Sequence, residues 1–417
     1  MLLQFKIENF ATYKKQSCLD MNATNIKEHE YAVVDFNSDI QVLPFSVIYG
    51  ANSAGKTNLL KALSCMKKFV LYCLSMSDKQ GLPAIPFAGN TECLDKPTNF
   101  EISFILDGDK DEQEYLYGFS ITSKTKTVEA EYLYHKKIKH KSYNIIFERT
   151  VADGLKLGKG VFARKKLGDT KEIRYINKLV KRKRDLFLTF LGQQLESSLF
   201  SDILLFFNNI VDYSDVYFPK MNPNRMFISG DDLTKYYKES HLKDGYLNFM
   251  RLCDNTILDL TISEEEIPDA NNEKGFEVNI HHNIGEKTLL FPLTWNSNGT
   301  FKAMQFYPIL NDVLESGGIL IVDELDSSLH PILLKYVVNM FRDPQTNPKH
   351  AQLICSLHNT FLMDKKYLRR DEIWFVDKHS DGDSELYSLA EFNIRSDADY
   401  SKQYIIGKLG AVPNLNI

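Results

Sequence analysis

Apolar and polar residues alternate from the first positions of the chain. Residues 2–10 set Leu3, Phe5 and Ile7 against Gln4, Lys6 and Glu8, the period of a half-buried strand. A second strand near residues 18–21 would pair with it. Residues 45–49 are a short apolar run, predicting a buried strand, and residues 58–68 carry apolar side chains at helical spacing. A connection with three prolines, over residues 77–98, comes next. Alternating strands are expected at 100–106, 114–121, 128–135 and 143–149, the first two joined by a polar turn at 107–112, as in an antiparallel meander. Residues 186–211 and 231–258 read as helical, joined by the Pro- and Asn-containing stretch 218–224 and followed by an acidic run at 263–266. They hold no sustained heptads, which argues against a long coiled coil. Strands are expected at 276–281 and 288–290, then a helix over 301–314. Four successive aliphatics, Ile319–Val322, imply burial on both faces, as in a central parallel strand. A helix over 332–341, a buried strand over 351–356 and a hairpin of 373–377 with 385–389 close the pattern. The Asp-Gly-Asp between the last two strands could belong to a metal-binding site, but a Gly-containing hairpin turn explains it better.

This pattern predicts an α/β fold: a phosphate-loop core with a mixed or antiparallel β-layer and a helical inserted subdomain. The expected division is 1–150 for the first half of the core and the β-layer, 151–275 for a basic and helical insert, and 276–417 for the second half. Composition changes the picture in one place only. Of 417 residues, 43% are hydrophobic and 25% charged, as in ordinary globular chains, and the net charge of −5 excludes a polycation. Yet residues 131–190 hold 17 Lys plus Arg against 6 Asp plus Glu, clustered at 135–141, 164–166 and 181–184. Such clusters read either as a solvated face or as a salt-dependent nucleic-acid contact. The six cysteines form no Cys-x2-Cys pair, which fits a reducing, cytoplasmic compartment. No apolar run reaches membrane-spanning length, so no membrane partner is expected.

The chemistry concentrates in a few stretches. Gly50-Ala51-Asn52-Ser53-Ala54-Gly55-Lys56-Thr57 fits Gly-x4-Gly-Lys-Ser/Thr and runs from the 45–49 strand into a helix at Asn58. Glycines let backbone N–H groups converge on a phosphate, Lys56 adds charge for the β- and γ-phosphates, and the Thr57 hydroxyl is placed for Mg2+. Asp323 and Glu324 end the aliphatic strand, where ligands of parallel sheets bind. There Asp323 would meet Mg2+ through water and Glu324 would polarise an attacking water. His358 follows the next buried strand, in the place of a γ-phosphate sensor. Ser297 and Gly299 precede a helix; taken alone an N-cap explains Ser297, but its placement just ahead of the acidic strand makes it a candidate binding residue as well.

These stretches resemble ABC-type ATPases of the SMC, RecF and OLD group. Within it they are most similar to ATP-binding proteins of the AAA-15 kind, which include the phage-defence ATPases AbiLi, RloA and AriA. The resemblance rests on MLLQFKIENFATYKK, GANSAGKTNLLKAL, the Ser297-Asn298-Gly299-Thr300 signature, ILIVDELDSSLHP and SLHNTFLMD. It continues through RRDEIWFVDK, SELYSLAEF and YIIGKLGAVP. It implies an ABC-ATPase-like core that binds ATP and Mg2+. Two heads, in a homodimer or higher homo-oligomer, would sandwich two ATPs. Ser297 and Gly299 would contact the γ-phosphate held by the other head. Asp326 would lie in the loop crossing between heads, and His358 would be the switch histidine. OLD proteins carry a nuclease domain after the ATPase, but only 94 residues follow Asp323 here. Any effector, nuclease or toxin, is therefore expected to be a separate protein.

Three functions compete on this reading. The first is a regulatory ATPase of an anti-phage, abortive-infection system. The second is a RecF-like DNA-repair ATPase. The third is a scaffold that uses ATP only to dimerise, against which Glu324 argues.

Overall fold

The alternating strands of the meander and the strands with continuous apolar runs lie in two different sheets. The structure is a computed structural model. It describes residues 1–37, 40–76, 85–106, 113–125, 127–158, 184–194, 198–216, 240–262, 267–268, 274–275, 278–292, 295–327, 329–395 and 398–413. The polar turn at 107–112, the stretch 218–224, the acidic run 263–266 and the basic residues 164–166 and 181–183 lie outside the described residues.

In chain order the strands are β1 (Leu2–Glu8), β2 (Ser17–Asp20), β3 (Val34–Asn37), β4 (Ile40–Val42), β5 (Phe45–Tyr49), β6 (Thr98–Ile105), β7 (Gln113–Thr122), β8 (Thr127–Lys137), β9 (Asn144–Thr150) and β10 (Gly154–Leu157). They continue as β11 (Ile210–Asp212), β12 (Ile257–Ile262), β13 (Ile267–Pro268), β14 (Lys274–Gly275), β15 (Val278–Ile284), β16 (Lys287–Pro292), β17 (Ile319–Val322), β18 (Gln352–Ser356), β19 (Ile373–Lys378) and β20 (Ser384–Ser388). The alternating strands build a seven-stranded antiparallel sheet, β10-β9-β8-β7-β6-β1-β2. The strands with apolar runs, β5 and β17, lie with buried β18 inside a six-stranded sheet, β11-β17-β18-β5-β19-β20, parallel except for β20.

Every residue of β5, β17 and β18 is buried, because the parallel sheet is covered on both faces. On one face Ile48, Ile321 and Ile354 meet the Lys56–Tyr72 helix, whose Leu63, Met66 and Phe69 also reach Phe5, Phe100 and Phe119 of the antiparallel sheet. On the other face Val47, Val322 and Cys355 meet Phe306, Leu310, Leu334 and Val338 of the helices Asn298–Ser316 and Pro331–Arg342. The two sheets are also joined by hydrogen bonds. The buried Gln352 side chain accepts from Leu2 N at 2.6 Å and donates to Leu2 O at 3.0 Å and Leu43 O at 3.1 Å.

Two expectations need correcting. Residues 210 and 211, predicted as the end of the 186–211 helix, instead lie with Asp212 in β11, which pairs in parallel with β17 at the edge of the core sheet. Likewise residues 257 and 258, predicted as the end of the 231–258 helix, begin β12 rather than continuing the Ser240–Cys253 helix. Three residues are too few to show a period, so the helical reading of Phe187–Gln194 and Ser198–Asn208 ran on through them. The stretch predicted as an insert therefore also supplies a strand to the core sheet.

Glu131 ties the meander to the helices that follow. Its buried carboxylate accepts from Arg149 Nε at 2.7 Å, from Phe187 N at 2.7 Å and Leu188 N at 2.9 Å, and from the Tyr117 hydroxyl at 3.0 Å. A negative charge at a helix N-terminus is favourable, and here it also neutralises a buried guanidinium. Glu131→Ala should leave Arg149 uncompensated and lower the unfolding free energy by about 3 kcal/mol, read by urea denaturation.

Candidate functional site

Gly50–Thr57 leaves the C-terminal end of β5 and turns into the Lys56–Tyr72 helix. The turn is tight where glycine is required. A Cβ on Gly50 would sit 2.4 Å from Val376 O, and Gly55, at φ 129°, would place one 2.6 Å from Ser384 Oγ. Ser53 lies in the left-handed region at φ 63°. The Lys56 ammonium donates to Gly50 O at 2.7 Å and Ala51 O at 3.1 Å, so it stands inside the loop. Burial lowers its pKa, opposed by the negative charges of Asp323, Glu324 and Asp326.

The acids arrive from the neighbouring strands. Asp323 follows β17, and its carboxylate accepts from Thr57 Oγ1 at 2.6 Å on one oxygen and from Ser356 Oγ on the other. Ser356 ends β18, and its hydroxyl also accepts from Glu324 N at 2.8 Å. Glu324 itself stands at φ 51°, a conformation fixed by that bond and by Ser327 N donating to Glu324 O at 2.9 Å. His358 Nε2 lies 3.2 Å from Glu324 Oε1, with both side chains open to solvent. Thr57, Asp323, Ser356, Glu324 and His358 thus form one continuous hydrogen-bonded run.

Asn52, Ser53, Gly55, Lys56, Thr57 and Asn58 line the same cavity as Glu324 and His358, and Ala54 lines an adjoining one with His358. Asp326 is not in that run. One of its carboxylate oxygens accepts from His358 N at 2.9 Å and Asn359 N at 2.6 Å of its own chain, so it shapes the turn that carries His358. Ser297 and Gly299 are elsewhere, in a separate cleft with Leu252, His330, Ile332 and Tyr336. Ser297 N-caps the Asn298–Ser316 helix by accepting from Thr300 N at 3.1 Å, and Gly299 lies in the first turn rather than ahead of it.

Four further residues belong to the site. Ser356 is the hinge of the run. Thr12 and Lys378 line the phosphate-loop cavity, and Thr12 Oγ1 accepts from Asn58 Nδ2 at 3.1 Å. Lys302, one turn into the Asn298–Ser316 helix, donates to Ser327 O, and burial lowers its pKa against the pull of Asp326 and Glu324. Only Ser356 leaves a sequence signal, as a small hydroxyl ending an apolar strand two residues before His358. Of the basic clusters, 135–141 is described and partly neutralised: Lys136 pairs with Glu114 at 3.0 Å and lies over the Tyr143 ring.

A parallel sheet, a glycine loop at a helix N-terminus and a threonine–aspartate pair beside it define the chain as a phosphate-loop nucleotide-binding protein of α/β class. Residues 45–364 match the family described as AAA domain, putative AbiEii toxin, Type IV TA system, and the chain belongs to that family. Solved structures to which it is similar include the SMC head domain from Thermotoga maritima, at 14% identity over 93% of this chain and 98% of that one, with a TM-score of 0.42. Two others are Smc head domains. One, from Pyrococcus furiosus, has an extended coiled coil and is bound to the C-terminal domain of ScpA (14% identity, 98% of both chains, TM-score 0.45). The second, from Pyrococcus yayanosii, has a coiled coil and joint (10% identity, 98% and 99% of the chains, TM-score 0.44). Comparison with curated proteins gives no match. No described helix is long and apolar enough to cross a membrane.

Because Ser356 holds both acids through one oxygen, Ser356→Ala should release Asp323 and the Glu324 amide together. The expected result is about tenfold slower nucleotide turnover with a smaller change in KM, measured by phosphate release at saturating and limiting ATP.

Proposed function

We propose that this chain is a Mg2+-dependent ATPase, similar to the phage-defence ATPases AbiLi, RloA and AriA, that works as a sandwich of two copies and regulates a separate nuclease or toxin in an abortive-infection, antiviral setting. The observation that supports hydrolysis best is the run from Thr57 through Asp323, Ser356 and Glu324 to His358 at the mouth of the phosphate loop. Its first two members are oxygen donors 2.6 Å apart, a set that suits a small hard cation. Bound there, Mg2+ would neutralise phosphate charge. Asn52, Ser53, Ala54, Gly55, Lys56, Thr57 and Asn58 bind the phosphates, with Lys56 swinging from its loop carbonyls to the β- and γ-oxygens. Glu324 orients the attacking water and takes its proton. His358, held 3.2 Å from Glu324, senses the γ-phosphate.

Ser297 and Gly299 face a cleft away from their own phosphate loop, so in this reading they serve the ATP of the neighbouring head. Asp326 sets the loop that crosses between heads. The match to a family whose description carries a type IV toxin–antitoxin system supports the defence setting.

Glu324→Gln should bind ATP as wild type does, lose turnover and stay ATP-loaded, whereas Lys56→Ala should lose ATP binding. A linked heterodimer of Ser297→Arg and Lys56→Ala heads should recover one working site where each homodimer has none. Unchanged turnover in Glu324→Gln would remove the hydrolytic assignment, and no recovery in the heterodimer would remove the sandwich.

ATP can bias a partner only through different affinities for two nucleotide states. An effector should therefore be recovered in different amounts with wild type and with Glu324→Gln, in pull-downs from host cells with and without phage. Equal recovery of every candidate would favour the RecF-like repair ATPase instead.

A further inference from the structure

The C-terminal stretch YIIGKLGAVP, residues 404–413, has no part in the site as described so far. Yet it is built against both halves of that site. Ser401, on the Tyr400–Ile405 helix, donates to Thr360 Oγ1 at 2.7 Å, two residues beyond His358. The Tyr404 ring stacks on Phe375 at 5.4 Å and lies 6.2 Å from the ring of Tyr49, the residue that ends β5 before the phosphate loop. The Tyr404 hydroxyl donates to Ala411 O at 3.1 Å and the Tyr387 hydroxyl to Leu409 O at 2.8 Å, which closes the turn. Gly410 is required there: at φ 68°, it would bring a Cβ 2.5 Å from the Tyr387 oxygen. Leu409 and Ala411 are buried, so the turn is fixed from behind.

Its front is open. Tyr404, Ile405 and residues 410–413 form one wall of a cleft whose other walls are Gly50–Ala54 of the phosphate loop, residues 358–360, and the charged pair Asp377 and Lys378. Ile405 is 65% exposed and Ile406 55%. The chain's own Ser297 cannot fill this cleft, because it lies in a different one with Ile332, which is 69% exposed; Trp295, two residues before Ser297, stacks on Phe291 and is 75% exposed. Each half of the proposed composite site therefore carries an apolar rim, and no described part of the same chain covers either. In a closed two-fold pair the two rims would cover one another twice.

Resting on the sandwich reading, we infer that the Tyr404–Pro413 turn is a docking wall for a second copy of this chain, receiving its Ser297 loop together with Trp295 and Ile332. The turn extends the ATP-sandwich face, continuous with the phosphate-loop cleft, and couples docking to the His358 loop through Ser401 and Thr360.

The test uses the full chain carrying Glu324→Gln, with ATP and Mg2+, and reads self-association by sedimentation velocity and ATP affinity by equilibrium dialysis. Added Ile405→Asp or Ile405→Lys should weaken ATP-dependent association about tenfold, with ATP affinity of the monomer within about twofold. Charges of both signs separate lost apolar contact from repulsion of the nucleotide. Tyr72→Asp, at the far end of the phosphate-loop helix and 52% exposed, should change neither. If Glu324→Gln associates with ATP and both Ile405 variants associate equally well, this inference is overturned while the sandwich stands. If Glu324→Gln remains monomeric with ATP, the sandwich fails and this inference fails with it.

Discussion

Three parallel strands ending at one level is the constraint on which the site depends. Val322 pairs with Cys355, and Ser356 pairs with Ile48, so β17, β18 and β5 release their chains into one crevice. Only in that register does Ser356 stand between Asp323 and the Glu324 amide while the phosphate loop begins at the next strand. A one-residue slip of β18 would turn the hydroxyl to the opposite face and set a buried apolar side chain against the acids. The all-aliphatic runs of β17 and β18 fix the strands as buried. The register itself is pinned at their far end, where Gln352 holds both Leu2 and Leu43.

Backbone strain sits at the same crevice. Ser53 and Glu324 are non-glycine residues at positive φ, one in the phosphate loop and one at the end of the acidic strand. Such conformations cost roughly 1–3 kcal/mol each and persist only where neighbours over-determine them. Glu324 is held by Ser356 and Ser327. The loop around Ser53 is braced by Ser384 donating to Ala54 O and by the buried Tyr13 hydroxyl donating to Gly55 O at 3.1 Å. The first residue of β20, which follows a stretch that in sequence reads only as a turn, thus supports the phosphate loop from behind.

How much was legible follows from how local each signal is. The phosphate loop, the aliphatic strand before Asp323 and the alternating meander are written in consecutive residues, and the structure has strands and helices where these predict them. Thr12, Lys302 and Lys378 carry no such signal, because each reaches the site only through tertiary contacts with residues far off in the chain. The Ile210–Asp212 strand is too short to announce itself. Ser297 shows the opposite difficulty: its cap is plain from sequence and present in the structure, and a cap by itself says nothing of a nucleotide on another molecule. Asp326 was expected at an interface between heads, and within its own chain it shapes the turn of His358. The two roles use different neighbours and do not exclude each other.

The order of the core sheet also bears on how the chain reaches its native state. β5 lies between β18 and β19, both of which come some 300 residues later in the sequence. The antiparallel strands β6 to β10 pair with their immediate successors and can zip locally, whereas β5 has no partner until residues 352–378 exist. Contacts of such separation carry a high loop-closure cost and slow folding. During synthesis, the strand that delivers the phosphate loop therefore waits as an apolar segment beside a meander already able to form. The capacity to hold nucleotide is acquired last, when the final third of the chain has been made.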